Sequence, residues 1–129
     1  MALVYLDSSA LVKLAVHEPE SDALRRALRG RTELVASALA RTEVTRALLP
    51  FGDDALDRGA EVLDRVELVR VNDRVLALAG RLAPPTLRSL DAIHLATAKL
   101  LARVKLFVTY DERLAQAARA MKLKISAPK

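Results

Sequence analysis

Four carboxylates in this chain sit where the surrounding pattern does not call for charge. Asp7 ends the apolar run Leu3-Val4-Tyr5-Leu6. Asp is depleted from strand interiors, so a strand that stops on Asp7 places the acid at a sheet rim. In open parallel sheets, that rim beyond the carboxyl ends of the strands is where ligands sit. Glu43 lies in a helical stretch whose 3.6-residue repeat sets Leu39, Ala40 and Ala47 beside it, so its carboxylate lies on or next to the apolar face. A buried, unpaired carboxylate is costly and needs a partner; Arg46, three residues on, is the structural candidate. Asp91 falls in the first turn of the helix opening Leu90-Asp91-Ala92-Ile93-His94, and Asp111 follows the apolar run Leu106 to Thr109. Each Asp also has a purely structural reading, as a helix cap or a favourable charge at a helix N-terminus.

Taken together the four acids say more. Strand-to-helix junctions of a parallel sheet share one rim, so Asp7, Glu43, Asp91 and Asp111 are expected to build one acidic pocket. Like charges held close raise one another's pKa values unless a cation sits among them. All-carboxylate oxygen ligation suits Mg²⁺ or Mn²⁺, and a chain with no Cys and only two His offers little for Zn²⁺. The net charge is +5 and the sequence pI about 10.0, which favours a polyanionic partner. With the four acids set aside the remainder is more basic still. An acidic, metal-loaded pit in a basic surface is what metal-assisted hydrolysis of a polyanion requires.

The elements that must position these acids follow from periodicity and punctuation. After the opening strand, Ala10 to Ala15 reads as a short helix capped by Ser8 or Ser9. A second helix starts around Pro19 and closes with Arg25, Arg26 and Arg29 before Gly30. Leu34 to Ala36 is a buried-strand candidate, with Ser37 capping a third helix that reaches Leu49 and is ended by Pro50 and Gly52. Asp53 to Arg65 reads as a weaker helix diluted by Gly59. Val66 to Val71 alternates as a half-exposed strand. Asp73 caps a helix running to about Leu82, and Ser89 caps a strongly apolar one through Ala102. Leu106 to Thr109 is a strand, Glu112 to Ala120 a helix, and Leu123 and Ile125 mark a last strand. Strands alternating with helices predict an α/β fold: a three-layer α/β/α sandwich on a central parallel sheet of four to five strands, one domain over residues 1–129. Hydrophobic residues make up 52% of the chain and aromatics 3%, so Leu, Val and Ala must fill the core. The first apolar run is too short for a signal segment or a membrane span, and the expectation is a cytoplasmic protein with no membrane association.

Leu6-Asp7-Ser8-Ser9-Ala10, Thr42-Glu43, Ser89-Leu90-Asp91-Ala92-Ile93-His94 and Val108-Thr109-Tyr110-Asp111-Glu112-Arg113-Leu114 resemble the four acidic motifs of PIN-domain ribonucleases. Length and motif order are similar to the VapC-type toxins of bacterial toxin–antitoxin pairs. The resemblance implies a Mg²⁺- or Mn²⁺-dependent endoribonuclease. It also implies a homodimer, and a small VapB-type antitoxin that neutralises the enzyme with a tail reaching the active site and joins it in a higher assembly. It carries Asp7, Glu43, Asp91 and Asp111 over as catalytic metal-site acids, with Asp111 the least direct, and Ser9 and Thr109 as polar companions. Lys13, Arg41, Arg46, Arg88 and Arg113 lie near the motifs and are candidates for RNA phosphate contacts, as against solvated surface charge. His94, three residues after Asp91, reads as a helix-packing residue rather than a ligand. Of the aromatics Tyr5, Phe51, Phe107 and Tyr110, only Tyr110 lies near the rim, so selection by base stacking is limited and RNA shape carries more weight.

Other classes compete for the same pattern. A receiver-like or phosphatase-like domain needs a second acid close to its nucleophilic Asp, and after Asp7 none occurs until Glu18. A structure-specific DNA nuclease of related fold usually carries insertions that this chain lacks. A non-catalytic RNA- or partner-binding PIN-like domain is the alternative, and an incomplete acid set would favour it; all four acids are present.

Overall fold

The computed structural model describes residues 2–31 and 33–129. Five strands, β1 (Leu3–Leu6), β2 (Leu34–Ser37), β3 (Glu67–Val69), β4 (Val104–Val108) and β5 (Ile125–Ser126), form one parallel sheet in the order β3-β2-β1-β4-β5. The chain builds outward from β1 through β2 to β3, then returns to lay β4 against the other side of β1. That reversal makes the junction between β1 and β4 the switch point of the sheet, where the connections leave in opposite directions and a crevice opens.

Seven α-helices flank the sheet: α1 (Ser8–Ala15), α2 (Ser21–Leu28), α3 (Ala40–Leu48), α4 (Asp53–Asp64), α5 (Asp73–Ala79), α6 (Ser89–Leu101) and α7 (Glu112–Ala120). Alternation along β1 sends Val4 and Leu6 into a core shared with α1 to α4, including Leu11, Leu24, Val44, Leu48 and Val62. Leu3 and Tyr5 point the other way, against Leu95 and Ala98 of α6 and Leu114, Ala117 and Ala118 of α7. The three-layer sandwich is therefore built as its sequence pattern predicts.

Several boundaries differ from the sequence reading, each for a local reason. Neither Ser8 nor Ser9 caps α1; Asp7 does, its Oδ1 accepting from the Ala10 amide at 3.0 Å. Ser37 belongs to β2, and its Oγ accepts from the amide of Leu39, the residue just before α3. Asn72 rather than Asp73 caps α5 through the Val75 amide, and that helix stops at Ala79, short of Leu82. Ser89 is the first residue of α6, with Arg88 in the cap position. Pro50 sits inside a single 3-10 turn at Leu49–Phe51 instead of ending structure outright. The helix read as weak, α4, is 12 residues long. A Cβ on Gly59 would lie 2.5 Å from Leu48 Cδ1, so this glycine lets α4 close onto α3. Arg58 ties α4 to the end of α1, its Nε donating to the Ala15 carbonyl at 2.8 Å. Among the described residues, no helix is long and apolar enough to cross a membrane.

Candidate active site

Asp7 stands at the carboxyl end of β1, next to the switch point, and is 4% exposed. Three donors hold it. Ser9 Oγ reaches Oδ1 at 2.6 Å, the Ala10 amide shares that oxygen, and Thr109 Oγ1 reaches Oδ2 at 2.5 Å. The two hydroxyls are themselves fixed from the end of β4: the Tyr110 amide donates to Ser9 Oγ at 3.0 Å and the Asp111 amide to Thr109 Oγ1 at 3.1 Å. Ser9 and Thr109 thus stitch the ends of β1 and β4 together around one carboxylate. Burial nevertheless pushes the Asp7 carboxyl above its ordinary value, against the lowering pull of Ser9, Thr109 and Ala10.

Asp111 caps α7 as Asp7 caps α1, its Oδ1 accepting from the Leu114 amide at 3.1 Å. The matching geometry expected of these two residues is present. Asp91 lies in the first turn of α6. Burial raises its pKa, and the negative charges of Asp111, Asp7 and Glu43 raise it further. Asp111 is the strongest of these charges, and His94 pulls in the opposite direction.

Glu43 projects from α3, half-buried, and its partner is not Arg46. Its Oε1 accepts from Ser8 Oγ at 2.5 Å and from His94 Nε2 at 2.7 Å. Burial pushes its carboxyl up, but the hydrogen bonds from His94 and Ser8 outweigh it and hold the group below its ordinary value. Arg46 is exposed. The sequence offered a cation at helical spacing, whereas the structure supplies a ring from the other side of the sheet.

His94, Ser8 and Tyr5 are the members of the site that sequence reasoning missed. His94 is 2% exposed and does pack in its helix, yet both ring nitrogens are engaged: Nε2 by Glu43, Nδ1 by the Tyr5 hydroxyl at 2.7 Å. The available signal was a histidine one turn after Asp91, on the same helix face.

Hard oxygen donors fit a small divalent cation. Among the described residues, Glu43 Oε2, Asp111 Oδ2 and both oxygens of Asp91 accept no hydrogen bond. No group of three or more acidic or histidine side chains is gathered tightly enough to be a ready-made cage among those residues. Mg²⁺ does not need one, since it keeps several waters and takes one or two carboxylates plus substrate oxygens.

The basic candidates divide. Arg88 and Arg113 line, with Asp91, Thr86 and Gln116, a cleft of about 550 Å³. Lys13 borders a second cleft with Ser8, Ser9, Glu43 and Tyr110, but its ammonium is bound to Glu20 at 3.0 Å and Glu18 at 3.3 Å and sits 4.8 Å above the Tyr110 ring. Arg41 lines a separate depression between α3 and α4. Tyr110 reaches back to the Pro128 carbonyl at 2.8 Å.

A parallel sheet of this order, with Asp7 at the end of β1 beside the switch point, is shared with a known class. Residues 4–120 match the family model of the PIN domain, and the chain belongs to the PIN-domain family. It is 56% identical over 129 residues to Ribonuclease VapC46 of Mycobacterium tuberculosis, an alignment covering 99% of each protein. Solved structures share the fold at lower identity. VapC20 of Mycobacterium tuberculosis, described as a sarcin-ricin loop cleaving toxin, superposes with a TM-score of 0.75 at 15% identity, over 88% of this chain and 94% of that one. A toxin–antitoxin complex from Klebsiella pneumoniae gives 0.75 at 18% identity over 98% of both chains.

Proposed function

We propose that the protein is a Mg²⁺- or Mn²⁺-dependent endoribonuclease acting in the cytoplasm as the toxin of a toxin–antitoxin pair. The observation that carries this reading is the buried Asp7 at the carboxyl end of β1, held by Ser9, Ala10 and Thr109, with Asp91 in the first turn of α6 and Asp111 capping α7. Four acids crowded at one rim are unfavourable without a cation and well suited to one. The kinship with Ribonuclease VapC46 supplies the substrate class.

Asp7, Glu43, Asp91 and Asp111 would hold the metal. When bound, it lowers the pKa of a water and stabilises charge on the scissile phosphate. Ser9 and Thr109 keep Asp7 oriented, and their donated hydrogen bonds favour its charged form. Arg88 and Arg113, on the cleft that reaches Asp91, take the flanking phosphates of the RNA. Lys13, already committed to two acids, serves the local structure, and Arg41 and Arg46 lie outside that cleft.

The partner is a small antitoxin of the VapB type, bound to a toxin homodimer. A groove of about 290 Å³, floored by Leu14, Leu28, Leu34, Val62 and Val66 and rimmed by Arg25, Arg29 and Arg65, suits an amphipathic segment with acidic flanks. Leu11 and Leu24, also apolar residues of α1 and α2, are fully buried and belong to the core instead.

Incubation of the purified protein with RNA tests the enzyme. Cleavage should require Mg²⁺ or Mn²⁺ and disappear in Asp7→Asn and Asp91→Asn variants that retain their far-UV circular dichroism. Undiminished cleavage in chelator would overturn the metal mechanism. For the toxin role, expression alone should arrest growth, and co-expression of the small neighbouring open reading frame should relieve it; harmless expression would exclude that role.

A further inference from the structure

The four-acid reading leaves one set of contacts unused. His94, on α6, reaches from one layer of the sandwich to Glu43, on α3 in the opposite layer. Its ring is clamped on both edges. Nδ1 meets the Tyr5 hydroxyl at 2.7 Å and Nε2 meets Glu43 Oε1 at 2.7 Å, with Ser8 Oγ at 3.4 Å from the same nitrogen. Tyr5 has no freedom of its own. It is 0% exposed, stacks on Phe107 with ring centroids 5.0 Å apart, and stands edge-on to His94 at 5.9 Å.

A carboxylate can only accept hydrogen bonds, so Nε2 must carry the proton that reaches Glu43. In the neutral ring Nδ1 is then the acceptor, and the phenol is its donor. The chain of donation runs Tyr5 to His94 to Glu43 and fixes one tautomer and one ring orientation. This is the arrangement by which an outer group aims a ligand carboxylate. Ser8 Oγ donates to the same oxygen, Oε1. Both donors therefore take one oxygen of Glu43 and leave Oε2 open.

We propose that His94 is a positioning residue for Glu43: anchored by the buried Tyr5 hydroxyl, it holds Oε1 and thereby presents Oε2 as the oxygen available to the cation. This rests on the reading of Glu43 as a metal-site acid. It adds two residues, Tyr5 and His94, that touch neither RNA nor cation and act through Glu43.

The test measures Mn²⁺ binding by isothermal titration calorimetry, without RNA, in folded variants. His94→Leu should weaken binding by about 10-fold to 100-fold, as loss of an outer-shell partner does. His94→Gln, whose amide N–H can replace Nε2–H, should recover most of that loss, and Tyr5→Phe should lose less than His94→Leu. In a Glu43→Gln background, His94→Leu should cost little more, because its effect passes through the missing carboxylate. Equal losses from His94→Leu in the two backgrounds would overturn the proposal, since a general packing role would act regardless of Glu43. Native affinity in His94→Leu with weakened Glu43→Gln would overturn it while leaving the four-acid site standing. Native affinity in Glu43→Gln would remove both. Should His94→Leu not fold, ¹⁵N NMR of the native imidazole decides: an Nε2-protonated ring supports the relay, and an Nδ1-protonated ring refutes it.

Discussion

Thr109 donates its hydroxyl to Asp7 Oδ2 at 2.5 Å, across 102 positions of sequence. Thr109 Oγ1 in turn accepts from the Asp111 amide, so one side chain ties the β1 acid to the segment bearing the β4 acid. Thr109→Val keeps the shape and deletes this link, leaving a buried carboxylate oxygen and an amide without their partner. Unfolding in urea should show a loss of about 1–3 kcal/mol, and Thr109→Ser should restore most of it. A change within about 0.5 kcal/mol, the ordinary range for surface substitutions, would mean the link carries little.

Asp7 and Glu43 should move stability in opposite directions with pH. Burial holds Asp7 above its ordinary value of 3.8, so the folded chain binds this proton more tightly than the unfolded chain. Its contribution falls as pH rises from the unfolded value through the raised folded value. For Glu43, burial is outweighed by His94 and Ser8, and the group lies below its ordinary value of 4.5. Its contribution is present above the unfolded value and disappears as pH falls through the lowered one. Asp7→Asn removes only the first effect. The variant should therefore gain on the native protein as pH climbs from about 4 toward neutrality, read from denaturation midpoints at the two ends. A gap independent of pH would contradict the assignment.

A divalent cation should relieve the crowding around Asp91. At 100 times its dissociation constant, Mn²⁺ should add about 2.7 kcal/mol to unfolding at pH 7, if it binds the folded state alone. Asp91→Asn should lose most of this gain. A thermal melt with and without the cation suffices, and an equal gain in native and variant proteins would place the cation elsewhere.

Arg88 and Arg113 share the cleft that reaches Asp91. Replacing both with Ala should weaken RNA binding evenly across sequences. The salt dependence of the binding constant should flatten by about 0.7 for each lost phosphate contact on single-stranded RNA. Arg41, on its own depression between α3 and α4, gives the contrast: Arg41→Ala should leave the slope where it was.

The alternation of strands and helices was legible because period and punctuation agree along most of the chain. Asp7, Asp91 and Asp111 were legible because an acid at a strand end or in a first helical turn is visible in one dimension. Whether Asp7 caps its helix was open in one dimension: it does cap α1, and its second oxygen accepts from Thr109. The partner of Glu43 was not legible. Helical spacing supplies only neighbours three and four residues away, such as Arg46, while His94 arrives from 51 residues along the chain. Gly59 misled for a related reason. Its cost to an isolated helix is local, and its benefit, the close approach of Leu48, is tertiary.

The strand order β3-β2-β1-β4-β5 also has a consequence for the chain during synthesis. β1 is made first yet gains its second neighbour only when Val104–Val108 has been made. Until then Asp7 lacks Thr109, and neither Tyr110 nor Asp111 exists to fix the hydroxyls around it. The acidic rim is thus closed only by the segment that follows β4. A nascent or truncated chain holding only the first three strands would carry Asp7, Glu43 and Asp91 without the clasp that aligns them. The machine that makes this protein is rich in RNA, and the order of the strands delays the assembled site until the fourth strand has been made.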